Sequence, residues 1–307
     1  MSQLHEDKHW PRAHAWLAGE FTHSARGLLS VLGLPLTLGS ITPSRCDLAP
    51  KAIREAMVRF STYDVAHSRD VRDLAVQDLG DLPLAQATVE DAQRPIEQAV
   101  KDALHSAQAL VLLGGDNAIT RPALRGMHGN LKECGLLTLD AHLDLRTLEG
   151  GLRNGNPVRA LLADGLPGEN IVQIGIQSFA NSAAYFQIAE DEGIHVIPVE
   201  QVADMGVEAS VERALRQLAG KVETIYVDLD LDVMDRAFAP ATAGSRPGGL
   251  TPLDIRRAAY LCGAHPKVRV MDLVEIDPTR DSNDITSMAA AACLLAFASG
   301  LLERMHD

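Results

Sequence analysis

The chain is poor in paired cysteine. Cys46, Cys134, Cys262 and Cys293 lie far apart and form no CxxC motif. That excludes a disulfide framework and a thiolate metal site, and it makes a reducing, cytoplasmic setting the expectation. No apolar run approaches the roughly 20 residues of a membrane span, and the N-terminus has no apolar core of a secretion signal. Positive charge is in deficit: 28 Lys and Arg against 41 Asp and Glu give a net charge of −13. Neither nucleic acid nor an anionic membrane is expected as a partner of such a chain. Gly114-Gly115-Asp116-Asn117 allows a tight turn. With no GxxxxGK[ST] anywhere, it is not read as a phosphate loop. Repeats, low-complexity tracts and linkers are also missing. The 307 residues therefore read as a polar arm over residues 1–27, holding His5, His9, His14 and His23, followed by one domain over 28–307.

What the chain does have is acid at the ends of apolar runs. Asp140-Ala141-His142-Leu143-Asp144 follows the apolar stretch 135–139. In extended backbone, positions i, i+2 and i+4 face one side. Two carboxylates and an imidazole would then converge where a buried strand ends. Crowded carboxylates away from water are costly unless compensated, and a divalent cation compensates them. A polar turn after a strand is the plain alternative. A second stretch weakens it: in Tyr226-Val227-Asp228-Leu229-Asp230-Leu231-Asp232-Val233, the three aspartates alternate with Leu229, Leu231 and Val233. A solvated acidic face fits poorly there, because residues 221–227 lead in like a covered parallel strand.

Apolar stretches at 28–34, 76–79, 109–113, 135–139, 170–176, 194–198, 221–227 and 268–275 read as strands. Helical spacing appears at 51–60, 89–107, from about 119, and at 182–191, 207–219, 252–262 and 285–302. Alternation of this kind predicts a parallel sheet with helices on both faces. Ligands gather outside the carboxyl ends of such strands, where Asn117, Asp140, Asp144, Asp230, Asp232 and Glu275 all fall.

Four motifs in this order and spacing resemble the ureohydrolase family of arginases, agmatinases and formimidoylglutamases. They are GGDN at 114–117, DAHLD at 140–144, DLDVMDRAFAPATAGSRPGGLTP from Asp230, and DLVEIDP at 272–278. The resemblance implies a three-layer αβα fold with an eight-stranded parallel sheet, and commonly a trimer or hexamer. It implies two Mn²⁺ ions per subunit, with Ni²⁺ or another divalent metal as alternatives. Asp140, His142, Asp144, Asp230 and Asp232 resemble the metal ligands, with Asp140 and Asp230 bridging. Glu275 resembles the carboxylate that holds the amidino or guanidino group. For hydrolysis at such a carbon, Asp144 is the expected shuttle of a proton to the leaving amine. Asp235 either supports the metal loop or caps a turn. Asn117 stands where the family usually has His, which implies a weak ligand and one weakened site. Asn154 also replaces a usual His and has no acid–base capacity near neutral pH. Asp228 stands where Ser is common.

The resemblance makes the substrate a small amidine or guanidine. Arg146, Arg153 and Arg159 cluster near the loop expected to cover its tail, together with Asn156. Arginine suits carboxylates, so formimidoyl-glutamate or a guanidino acid is preferred over agmatine or arginine. A noncatalytic subunit paired with an active homologue is the reading from another class, motivated by Asn117 and Asn154.

Overall fold

The structure, a computed structural model, describes residues 7–21 and 26–305. In chain order the elements are α1 Ala13–Leu17, β1 Arg26–Leu34, α2 Ala49–Ala56, the hairpin strands β2 Tyr63–Asp64 and β3 Arg69–Asp70, β4 Leu74–Asp81, α3 Val89–Ala103, β5 Ala109–Gly114, α4 Thr120–Met127, β6 Cys134–Leu139, α5 Pro157–Asp164, β7 Ile171–Ile176, α6 Ala183–Asp191, β8 His195–Pro198, α7 Val199–Met205, α8 Val207–Ala219, β9 Thr224–Asp230, α9 Pro252–Ala264, β10 Val268–Val274 and α10 Ile285–Glu303. Proline starts several helices where a missing N–H costs nothing: Pro50, Pro157 and Pro252 occupy their first turns. Thr251 and Asp254 add a reciprocal cap to α9.

Eight strands form one sheet in the order β4-β1-β5-β10-β9-β6-β7-β8. Every pairing in it is parallel. Two apolar clusters cover its faces. One draws on α1, α2, α8, α9 and α10, the other on α3, α4, α5 and α6. The three layers expected from alternation are present, and the order of the central strands brings β5, β10, β9 and β6 side by side.

Three expectations need correction. The segment read as an arm is partly integrated: Ala13, Trp16 and Leu17 of α1 are buried, and Trp16 Nε1 donates to Leu74 O at 3.1 Å. Of the histidines there, His5 and His23 lie outside the described residues. Second, α10 is long and apolar enough to cross a membrane by length and composition, although 78% of that stretch is buried inside the fold. Alanines let it pack closely on α9; Gly263 of α9 admits the backbone of Phe297, and Gly300 of α10 that of Tyr260, with no room for a Cβ at either. Third, the helix read over 51–60 ends at Ala56 and tightens into a 3₁₀ turn at Met57–Arg59.

Candidate metal centre

The floor of the site is assembled at the carboxyl ends of four adjacent strands. The strand read as carrying Asp140, His142 and Asp144 stops at Leu139, so the three do not share one face of extended backbone. They lie in a bent segment with Asp144 at φ 53°. The bend lets Asp140 Oδ1 accept the His142 N–H at 2.6 Å. Ala141 N–H reaches across to Asp232 Oδ1 at 3.2 Å. The acidic strand also ends early, at Asp230. Asp232 sits in the following 3₁₀ turn and donates its N–H to Asp230 Oδ1 at 2.8 Å. The turn, not strand alternation, aims Asp232 back at His142.

Asp140, His142 and Asp232 form a tight group whose potential ligand atoms all lie within 4.8 Å of one another. His142 Nδ1 is 2.9 Å from Asp232 Oδ2 and 3.5 Å from Asp140 Oδ1. Gly244 permits this crowding. A Cβ there would sit 1.9 Å from Asp232 Oδ2 and 2.8 Å from His142 Cε1.

The other half is wired through Asn117. Its Nδ2 donates to Asp144 Oδ2 at 2.7 Å and lies 3.5 Å from Asp228 Oδ2. Its Oδ1 accepts from Thr120 Oγ1 at 2.6 Å. The carbonyl expected as a weak ligand thus faces away, because an amide among carboxylates is best satisfied by presenting its donors. Glu275 follows β10 at φ 67°. Its Oε1 accepts from Asn117 N–H at 2.7 Å and from Asn154 Nδ2 at 3.0 Å. Asn154 Oδ1 in turn accepts from Ile41 N–H at 3.0 Å.

Burial dominates the electrostatics. It pushes Asp140 up to about 7, helped by the Asp232 charge. Burial, then the Asp116 charge, raises Glu275 to about 8. Asp144, Asp228 and Asp230 are raised well above the carboxylate range, again by burial first. Asp232 goes the other way: burial opposes its charge, but His142 more than offsets this. The Asp232 charge lifts His142 to about 11. Asp140 Oδ2 and Asp228 Oδ1 are buried with no hydrogen-bond partner. Carboxylates crowded out of water, two orphaned oxygens and an imidazole nitrogen are a donor set that fits a divalent cation such as Mn²⁺.

A cavity of about 420 Å³ opens above this floor. Arg146 lines it, beside Gly155 and Ile41. Arg153 does not: its Nη1 donates to Leu38 O at 3.3 Å. Nor does Asn156, which pins its own loop through Arg153 N–H, Thr147 O and Gly151 O. Arg159 lines a separate depression. Asp235 ties the loop over 235–250 together, accepting Ala237 N–H at 2.8 Å and Gly248 N–H at 2.6 Å; the turn-capping reading of it matches that geometry. Sequence reasoning missed Arg246, Asn181 and Asp272. Arg246 lines the cavity beside His142. Asn181 holds the DAHLD bend, accepting Leu143 N–H and donating to Ala141 O. Asp272 lies beneath the floor, accepts from Tyr226 Oη at 2.6 Å, and has Thr120 Oγ1 3.0 Å away. Only Asp272 had a signal, as an acid inside a buried strand.

Residues 28–299 match the arginase family. The chain is 36% identical over 295 residues to a formimidoylglutamase of Halalkalibacterium halodurans, covering 94% of this chain and 92% of that one. It superposes on the crystal structure of formimidoylglutamase from Bacillus subtilis with a TM-score of 0.90 at 28% identity, over 98% of this chain and 94% of that one. The fold is also that of a Trypanosoma cruzi formiminoglutamase solved with Mn²⁺, at TM-score 0.85, 23% identity, and 96% and 99% coverage. The acidic floor at the carboxyl ends of an eight-stranded parallel sheet, and these likenesses over nearly the whole length, make the chain a member of the arginase family, a ureohydrolase acting on C–N bonds of linear amidines.

Proposed function

We propose that the chain hydrolyses N-formimidoyl-glutamate to formamide and glutamate. One observation carries this reading: an acidic floor lies under a rim that holds two guanidiniums, Arg146 and Arg246, neither of them ion-paired among the described residues. A cationic amidine over the floor and carboxylates at the rim complement that arrangement. The names of the relatives at 36% and 28% identity agree with it. A guanidino acid is the second reading, favoured by the same rim. Agmatine, with a cationic tail, is disfavoured.

Asp140, His142, Asp144, Asp230 and Asp232 would hold divalent cations, two Mn²⁺ by family analogy. The half built on His142 would bind more tightly than the half where Asn117 presents N–H groups. Cations held there supply water of lowered pKa as the nucleophile. Glu275 orients the amidinium: Asn117 and Asn154 hold its Oε1, which leaves Oε2 for the substrate. Asn154 is thus a positioning residue and moves no proton. Asp144 has Oδ2 tied to Asn117, so Oδ1 is the atom that returns a proton to the leaving nitrogen. Steady-state rates on formimidoyl-glutamate, 4-guanidinobutyrate and agmatine test the reading. Preference for formimidoyl-glutamate is expected, and preference for agmatine would overturn it.

A further inference from the structure

We propose that Arg246 determines specificity by gripping the substrate carboxylate nearest the amidine carbon. This rests on the acidic-amidine reading above and assigns one carboxylate to one residue.

The backbone presenting Arg246 is stiff. Arg246 O accepts Arg236 N–H at 3.1 Å, Ser245 Oγ donates to Ala239 O at 2.9 Å, and Arg236 Nη1 donates to Thr242 O at 3.0 Å. The bridge between Met234 and Leu250 closes the loop, and Pro247 fixes the next residue. A guanidinium held this way loses little freedom on binding an anion.

Its own contacts leave it available. Nη1 donates to Gly244 O at 2.7 Å and lies 2.9 Å from His142 Nε2. No carboxylate of the floor pairs with it, and its Nε and Nη2 have no partner among the described residues. A fork of donors in a cavity edged with acid, reaching none of that acid, matches a carboxylate that arrives with a ligand.

Chemistry argues against the rival role of orienting His142. The group that orients a metal-ligating imidazole accepts the proton on its other nitrogen, as a carboxylate or carbonyl does. A guanidinium has no acceptor. Position then selects the carboxylate. Arg246 touches His142, at the floor. In N-formimidoyl-glutamate the α-carboxylate is borne by the carbon attached to the amidine nitrogen, and the γ-carboxylate lies two methylenes further out. Arg246 therefore takes the α-carboxylate, and the exposed Arg146 takes the outer one.

The test compares wild type, Arg246→Met and Arg246→Lys, each loaded with Mn²⁺. Measured are KM and kcat on N-formimidoyl-glutamate, the inhibition constant of glutamate, and Mn²⁺ affinity by calorimetry. In Arg246→Met, KM and the glutamate constant should each rise at least about tenfold. The fall in kcat should be smaller, and Mn²⁺ affinity should stay within about twofold. Lysine, a point charge without the fork, should fall between. It carries the test if the methionine chain does not fold. Arg257→Met, which removes a surface guanidinium paired with Glu208, should shift none of these values. An unchanged KM and glutamate constant in the folded variants would overturn the proposal, as would a parallel loss of Mn²⁺ affinity, which would make Arg246 a support of His142. If wild type prefers formimidoyl-glutamate and the variants match it, only the Arg246 assignment fails. If wild type prefers agmatine and ignores glutamate, the substrate reading fails with it.

Discussion

The two halves of the acidic floor solve one problem in different ways. On one side His142 stands among Asp140 and Asp232, and its charge holds Asp232 ionised despite burial. On the other side an amide, Asn117, offers N–H groups to Asp144 and Asp228, and both carboxyls are raised far above their usual range. An imidazole compensates with charge and can also ligate. An amide compensates with dipoles alone, so more of the demand for positive charge is left on its side.

The largest expected effect destroys the stronger half. Asp232→Ala should take turnover to background and weaken Mn²⁺ binding at least about 100-fold by calorimetry, more than loss of a supporting residue costs; retained affinity would show that the triad is not the anchor. Gly244→Ala disturbs the same half without removing a ligand. The added Cβ must displace Asp232 or His142, and kcat/KM should fall about 10- to 100-fold. Asn117→His tests the contrast directly. It should tighten the weaker Mn²⁺ event about tenfold while leaving the tighter one unchanged, and an isotherm identical to wild type would erase the distinction drawn here. The mildest effect is on stability. In chelated protein, Asp140 and Glu275 keep protons up to about 7 and about 8, whereas the unfolded chain releases them near pH 4. Folding stability should therefore fall as pH rises from about 5 to 8. His142, raised to about 11, adds stability that is complete below about 6.5 and declines above it. Both slopes have one sign, so the melting temperature without metal should drop over that window, and added Mn²⁺ should recover most at the alkaline end. A melting temperature that climbs with pH would contradict burial as the cause of the carboxyl shifts and the Asp232 charge as the cause of the His142 shift.

Most of the fold was legible because its eight sheet strands are short, apolar and spaced by helical periods. The hairpin at Tyr63–Asp70 was not, since two-residue strands have no periodicity. Helices α1 and α7 are too short for an apolar pattern to repeat. For the site, motif order identified the floor correctly as a gathering point. Strand alternation gave the wrong geometry: Asp144 and Asp232 reach the centre through bends beyond Leu139 and Asp230. Sequence favours Arg153 over Arg246 because clustering along the chain with Arg146 and Arg159 stands in for proximity in space. The contact of Arg246 with His142 spans 104 positions, and no local pattern encodes it.

The sheet's outer borders are guarded in ways that have nothing to do with chemistry at its centre. Trp16 plugs the entry to β4 at Leu74, and Arg54 clamps Asp78 and Asp81 along the same strand. At the opposite border β8 has four residues and closes on Pro198. Such margins give a stray strand from another molecule little to pair with. Damage to the short helix ahead of the sheet would accordingly surface first as turbidity in a concentrated sample, before any lost turnover.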